Sequence, residues 1–357
     1  GLGDFDGDGV PDLAVGAPHA NQVHLLLLNT DGTVKGSTAI MPAPFVFPGT
    51  RLVDFGRSIA SLGALDGDGI GDLAIGAPDS GYSHMGDFEP RGAIRVAFLN
   101  ADGSVKRFEE IGTTTQSDYA GLGTALASLG DIDGDGVTVL SVLKPRDNFE
   151  EYCGQAIYII LLTSNGTVKR AVATDEGGFG GSLTSAGDLD GDGVADLAVG
   201  NAFQYDASVS GGVIAEGSLE ILFLTADGSV RDTLTISGGT QGEPPLATGD
   251  LFGAVTSLGD LDGDGMLELA VGAAGDDSAG TNAGAIYVLS LSRFSASVID
   301  GVLTINVLSS RGSDVRVTRD AARSQFVVRT YDGAVVAEEA RFATSSVTRG
   351  LVANLGG

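Results

Sequence analysis

The chain has 357 residues, with 20 Lys and Arg against 47 Asp and Glu and a formal net charge of −27. That surface repels nucleic-acid phosphates and anionic membranes and invites cations, so no nucleic-acid partner is expected. A single cysteine, Cys153, excludes an internal disulfide and argues against a cysteine-based zinc site. Apolar runs such as 23–28 are strand-sized, too short to span a bilayer, so membrane insertion is not expected.

The 56 glycines follow no G-x-y period, and with 43% hydrophobic residues they suggest many short strands and tight turns. Self-similarity then organises the chain. The first unit reads GLGDFDGDGVPDLAVGAP from Gly1 and QVHLLLLNTDGTVK from Gln22. The second reads SLGALDGDGIGDLAIGAP from Ser61 and GAIRVAFLNADGSVK from Gly92. The third reads SLGDIDGDGVTVLSVLKP from Ser128 and QAIYIILLTSNGTVK from Gln155. The fourth reads SAGDLDGDGVADLAVGNA from Ser185 and SLEILFLTADGSVR from Ser218. The fifth reads SLGDLDGDGMLELAVGAA from Ser257 and GAIYVLSLS from Gly284, then diverges. The first loop positions, Asp4, Ala64, Asp131, Asp188 and Asp260, are 60, 67, 57 and 72 residues apart. That spacing is too long for a solenoid coil and fits one four-stranded propeller blade with its loops.

Each unit predicts one blade of an all-β propeller of antiparallel sheets. A first strand (55–62 or 252–258, for example) precedes the acidic loop, and LAVGA or its equivalent forms the second. A variable loop leads to the third. Asp31-Gly32, Asp102-Gly103, Asn165-Gly166 and Asp227-Gly228, pairs that tolerate positive φ, then turn the chain into the fourth. Alternating strand direction puts the acidic loops and hairpin turns on one face of the disc, and the variable loops and linkers on the other. Nearly continuous apolar strands, such as IYIILL from Ile157, suit sheets covered on both sides. The first unit lacks the strand that should precede its loop.

In the first loop, carboxylates recur at every second position and glycines sit where the chain must turn. Calcium takes six to eight such oxygens. Asp4, Asp6 and Asp8 are read as monodentate ligands, the Val10 carbonyl as a fourth, and Asp12, mono- or bidentate, as the fifth. The corresponding sets are Asp66, Asp68, Ile70 and Asp72; Asp131, Asp133, Asp135 and Val137; Asp188, Asp190, Asp192, Val194 and Asp196; and Asp260, Asp262, Asp264, Met266 and Glu268. Loop two, with Ala64 in place of the first Asp, should bind more weakly. Loop three has Val139 at position nine, so it loses the last carboxylate. An EF-hand needs a Glu at position twelve; here that position holds Val15, Ile75, Val142, Val199 or Val271, which continue into sheet.

These units resemble the FG-GAP repeats of the integrin α-subunit propeller and its bacterial relatives. Phe55-Gly56, Phe179-Gly180 and Phe252-Gly253, with Leu122-Gly123 as a variant, precede the loops, and Gly16-Ala17-Pro18 and Gly76-Ala77-Pro78 follow them. The resemblance covers residues 1 to about 294. It implies a β-propeller with Ca²⁺ in the loops between first and second strands. Integrin-type propellers have seven blades, so five units imply either missing blades or a ring closed another way.

After Ser292 the character changes. Residues 1–294 hold 13 Lys and Arg against 41 Asp and Glu, a net of −28, whereas residues 295–357 hold 7 against 6, a net of +1. Period-two alternation, as in VLTINVL from Val302, predicts a small C-terminal β module. It is similar to the lead-in to bacterial calcium-dependent glycine-aspartate repeats. The domain division is therefore 1–294 and 295–357, in what is read as part of a longer chain.

The expected function is a secreted or cell-surface scaffold or adhesion module that offers variable-face loops to a protein or glycan partner. Its loops 79–91 and 201–217 carry Tyr82, Phe88, Phe203 and Tyr205. The alternative is a propeller enzyme or enzyme accessory domain, of the polysaccharide lyase or phospholipase-like hydrolase kind. That reading requires His19, His84, Arg91 and Glu150 to converge on the variable face. No H-E-x-x-H or G-x-S-x-G motif occurs, and Cys153 lies among acidic residues that raise a thiol pKa, so no catalytic residue is assigned.

Overall fold

A computed structural model describes residues 1–42, 50–51, 54–79, 81–84, 87–90, 92–111, 122–144, 156–174, 181–202, 205–206, 213–214, 216–237, 246–261, 263, 266–281, 283–291, 294–299, 302–307, 316–320, 325–332, 335–343 and 350–355. Five antiparallel sheets follow one another along the chain, each a meander in sequence order. Blade one contains Leu13–Ala17, Gln22–Leu28 and Val34–Ile40. Blade two contains Ile59–Gly63, Asp72–Ala77, Ala93–Leu99 and Val105–Ile111. Blade three contains Ala125–Gly130, Val139–Lys144, Ala156–Leu162 and Val168–Thr174. Blade four contains Ser182–Gly187, Asp196–Asn201, Ser218–Leu224 and Val230–Ile236. Blade five contains Phe252–Gly259, Glu268–Ala273 and Ala285–Leu289. The unit boundaries thus mark blades, and the middle three are four-stranded. In blade one the missing first strand is represented by a single bridge, Gly3 to Asp12.

The hairpin turns are wider than a two-residue loop. Asn29 donates its N–H to Thr33 O and accepts from Gly32 N–H, both at 2.8 Å, and Gly32 alone takes a positive φ, 80°. Asp31 stays at negative φ because its Oδ1 accepts from the Thr33 N–H at 3.0 Å and from its hydroxyl at 2.6 Å, closing an Asx turn. Blades two and four repeat the motif through Asp102 and Asp227, and blade three through Asn165.

The core lies between blades rather than within them. One cluster joins Val23 and Leu25 of blade one to Leu73 and Ile75 of blade two. A second joins Ile94 and Val96 to Leu140 and Val142 of blade three. A third joins Ile157 and Ile159 to Leu197 and Val199 of blade four, and a fourth joins Leu219 and Ile221 to Leu269 and Val271 of blade five. Alternation explains this: successive side chains of a strand point to opposite faces, and each face meets a different neighbour. No cluster among the described residues joins blade five to blade one.

The paired glycine motifs have the same inter-blade origin. Gly16 of blade one lies against Gly56 at the entrance to blade two, and Gly76 lies against Gly123 at the entrance to blade three; a Cβ on either would overlap the facing carbonyl oxygen. Ser58 Oγ donates to Gly123 O at 2.6 Å, and Ser182 Oγ donates to Gly253 O at 2.7 Å across the junction of blades four and five. The Phe-Gly turn of one blade is therefore the seat for the second strand of the blade before it.

Parts of the loops expected on the variable face are extended. Gly81–His84 pairs with Asp87–Pro90 and with Thr50–Arg51 from the linker, and Tyr205–Asp206 pairs with Val213–Ile214. The side chains of Tyr82, Phe88 and Tyr205 lie outside the described residues, as does Phe203. In the tail, Val302–Val307 pairs antiparallel with Phe294–Ile299 and parallel with Gly350–Leu355. Arg316–Asp320, Gln325–Asp332 and Val335–Ala343 form a separate antiparallel sheet. No helix among the described residues is long and apolar enough to cross a membrane.

Candidate metal centre

The acidic loops divide their carboxylates between two tasks. Positions one and nine organise backbone. Asp4 Oδ1 accepts from the N–H groups of Gly7 and Asp8 at 2.8 and 3.0 Å, and its Oδ2 accepts from Gly9 at 2.8 Å. Asp188 does the same for Gly191, Asp192 and Gly193 at 2.7, 3.0 and 2.9 Å. Asp131 holds Asp135 and Gly136, and Asp260 holds Gly263. The loop wraps around this first side chain because consecutive N–H groups at its glycine turns point inward and need an acceptor. Loop two, with Ala64, makes a backbone turn instead, Gly67 N–H to Ala64 O at 3.0 Å.

Position nine ties the loop to the end of the third strand. Asp12 is fully buried; its Oδ2 accepts from Phe5 N–H at 2.9 Å and its Oδ1 from Leu28 N–H at 2.8 Å. Asp72 spans Leu65 and Leu99, and Asp196 spans Leu189 and Leu224. In loop five the longer Glu268 reaches Leu261 N–H at 2.6 Å and the Ser290 hydroxyl at 3.3 Å. Burial pushes Asp196 up to about 7, against its two backbone hydrogen bonds and with repulsion from Asp188 and Asp192 added. Burial also raises Asp72. Loop three has Val139 here, buried in the core, and lacks this tie.

Positions three and five lie side by side, partly exposed in loops one to three and buried in loop four. One oxygen from each of Asp4, Asp6 and Asp8 lies within 4.8 Å of the others, and so it is for Asp131, Asp133 and Asp135 and for Asp188, Asp190 and Asp196. Asp133 Oδ1 is buried and accepts no hydrogen bond. An all-oxygen set at this spacing fits a hard divalent cation. Position seven contributes a backbone contact: the N–H groups of Val10, Ile70, Val137 and Val194 donate to Asp8, Asp68, Asp135 and Asp192. Met266, their counterpart, packs in the core between blades four and five. Asp262 and Asp264 lie outside the described residues.

Four residues that loop reading misses complete the picture. Lys35 contacts Asp6 (2.8 Å) and Asp8, Lys106 contacts Asp66 (3.5 Å) and Asp68, and Lys169 contacts Asp133 and Asp135 (2.7 and 2.5 Å). Arg231 contacts Asp190 and, at 3.2 Å, Asp192. Hydrogen bonds to both carboxylates hold Lys169 up at about 12, and the Lys106 ammonium keeps Asp68 below the usual carboxylate range. The signal was present in the repeat, which ends in Lys, Lys, Lys and Arg at the same place each time. Of the cluster an enzyme would require, His19 sits exposed in the 3₁₀ turn Pro18–Ala20. The His84 side chain, Arg91 and Glu150 lie outside the described residues.

An antiparallel propeller with an acidic loop in every blade defines a repeat protein. The FG-GAP repeat family matches residues 1–35, 179–214 and 252–289. Integrin alpha-V of Gallus gallus is 31% identical over 219 residues, covering 58% of this chain and 20% of the relative. Integrin alpha-5 of Xenopus laevis is 29% identical with the same coverage, and integrin alpha-PS2 of Drosophila melanogaster is 30% identical over 56% of this chain and 14% of its own. The chain thus spans about a fifth or less of these relatives' lengths. The solved structure of BBS1N in complex with ARL6DN, soaked with lead, aligns over 99% of this chain and 92% of that chain at 11% identity with a TM-score of 0.37, too low to carry an argument. Three segments of this β-propeller thus match the FG-GAP repeat, and the chain is similar to part of the integrin α chain.

Proposed function

We propose that the acidic loops bind Ca²⁺ and that the propeller is a calcium-stabilised, extracellular binding or adhesion module. The convergence of three carboxylates in loops one, three and four carries this reading. Asp4, Asp6, Asp8, the Val10 carbonyl and Asp12 would hold the ion in loop one. Asp188, Asp190, Asp192, Val194 and Asp196 would do so in loop four, and Asp260, Asp262, Asp264, Met266 and Glu268 in loop five. Loop two, lacking the first carboxylate, and loop three, lacking the ninth, would bind more weakly. The ion's role is structural: it neutralises carboxylates that otherwise repel and stiffens the loop joining two strands. Kinship with integrin α chains supports a module outside the cell, where calcium is abundant and modules with Kd values of about 10⁻⁴ to 10⁻³ M suffice. The partner, a protein or glycan, would meet the variable face. Further blades would seat on the open faces of blades one and five to complete a seven-bladed ring, and residues 295–357 would form a separate β module.

Thermal melts test the central claim. Adding millimolar Ca²⁺ to chelated protein should raise Tm by several degrees, as expected for a ligand that binds only the folded state. An unchanged melt would refute the metal reading.

A further inference from the structure

Lys35, Lys106, Lys169 and Arg231 share more than an ion pair. Each is the second residue of a fourth strand, and each is the extra residue of a β-bulge. Leu28 pairs with Val34 and Leu27 with Gly36, so Lys35 has no opposite. Lys106 is skipped between Val105 and Arg107, Lys169 between Val168 and Arg170, and Arg231 between Val230 and Asp232. A bulge takes one residue out of the strand's alternation and re-aims its side chain. In all four blades the freed side chain reaches the third and fifth positions of its own acidic loop, across 27 to 41 residues of sequence. The fifth unit has no Asp-Gly turn at the equivalent place; it continues as GAIYVLSLSRF, whose Arg293 lies outside the described residues.

We propose that these four side chains are resident cations: each neutralises two carboxylates of its loop, and a divalent ion must displace it to bind between them. The inference rests on the loops being divalent-cation sites. Two carboxylates facing one another need a counter-charge whether or not metal is present, and an attached one is always at hand. Its presence also weakens metal binding, since the entering ion must break two charge-assisted contacts. Lysine suits such an exchange, being a compact charge on a flexible stem. Arg231 is harder to move: its forked guanidinium spans Asp190 and Asp192, whose side chains are 0% and 3% exposed. In loop five the third and fifth positions, Asp262 and Asp264, lie outside the described residues.

The test uses the whole chain, titrated with CaCl₂ by calorimetry and melted in EDTA. The variants are Lys35→Gln, Lys35→Arg and the quadruple Lys35→Gln, Lys106→Gln, Lys169→Gln, Arg231→Gln. The two neutralising variants should bind Ca²⁺ roughly three- to tenfold more tightly, the scale of a partly exposed ion pair, while melting at lower temperature in EDTA. Lys35→Arg should keep the metal-free melt of the parent. Opposite signs are the mark of a competing cation; a merely structural contact would lower the melt and leave or weaken calcium affinity. Equal affinity in parent and neutralised chains would overturn the inference and leave the metal sites intact. Binding to neither would overturn both. Binding only after neutralisation would be its strongest support. Lys35→Gln, at an exposed bulge, decides the matter if the quadruple variant fails to fold.

Discussion

The middle and the ends of the arc use the same strand to opposite effect. Leu197 and Val199 of blade four are 0% and 1% exposed, while Leu13 and Val15, at the same places in LAVGA of blade one, are 39% and 44% exposed. At the other end, Ile286 and Val288 of blade five are 75% and 58% exposed, whereas Ile94 and Val96 of blade two are at 0%. The outer surface of blade one looks where an earlier blade would sit, and that of blade five where a later one would. A repeat of this kind cannot cover its own faces; its neighbours do. What looks like a core residue in one unit is surface in another, with no change in the local sequence.

The sharpest way to break this comparison is truncation. Leu197→Ala should cost about 2–5 kcal/mol, the range for a buried leucine, and Leu13→Ala under about 1 kcal/mol, both read by denaturant unfolding. Equal losses would mean that blade one is covered in solution, by another copy or by further blades. Next comes the junction glycine. Gly200→Ala drives a Cβ into Gly253 O and should cost about 1–3 kcal/mol or more. Gly272→Ala, the same position in blade five, meets only the Cβ and carbonyl oxygen of Ala254, at 3.4 and 3.7 Å, and should be nearly neutral. A damaging Gly272→Ala would place a sixth blade against it.

Hydrogen exchange sharpens the contrast between loops. On chelation the Gly263 amide, held by Asp260 in the unit whose repeat lacks the Asp-Gly turn, should lose protection more than the Gly7 amide, held by Asp4 beside Lys35. The smallest expected effect concerns acid. Hydrogen bonds from Thr225 and Ser229 hold Asp227 down at about 2. A depressed carboxylate stabilises the fold above its unfolded value near ~3.9 and loses that contribution as pH falls toward 2. Asn165 occupies the same turn in blade three and cannot titrate. Carbon-detected NMR should find the Asp227 midpoint near 2; a midpoint near 4 would mean the Asx turn is open.

Much of the site was legible because metal loops are local. Asp4, Asp6 and Asp8 are near one another in space because they are near in sequence. The division of labour was not legible. Asp12 and Asp6 are the same residue type in one loop, but only the third strand, arriving with Leu28 N–H, makes Asp12 a backbone tie. The basic residues were visible as a repeated letter, yet their reach to the loop depends on a strand pairing that skips one residue. The hairpin turns were found through Asp-Gly, while their width followed from Asx bonds to Thr33 and its equivalents.

Sequence alone determined that this chain is a β-propeller of acidic-loop repeats, because strand, turn and loop chemistry recur in one order and each is encoded within a few residues. Tertiary structure alone decided which faces are covered, why Phe-Gly and Gly-Ala belong together, and which basic side chain meets each of the first four acidic loops. Those features join groups far apart in the chain, and only the meeting of neighbouring strands and blades brings them within range of a hydrogen bond or a van der Waals contact.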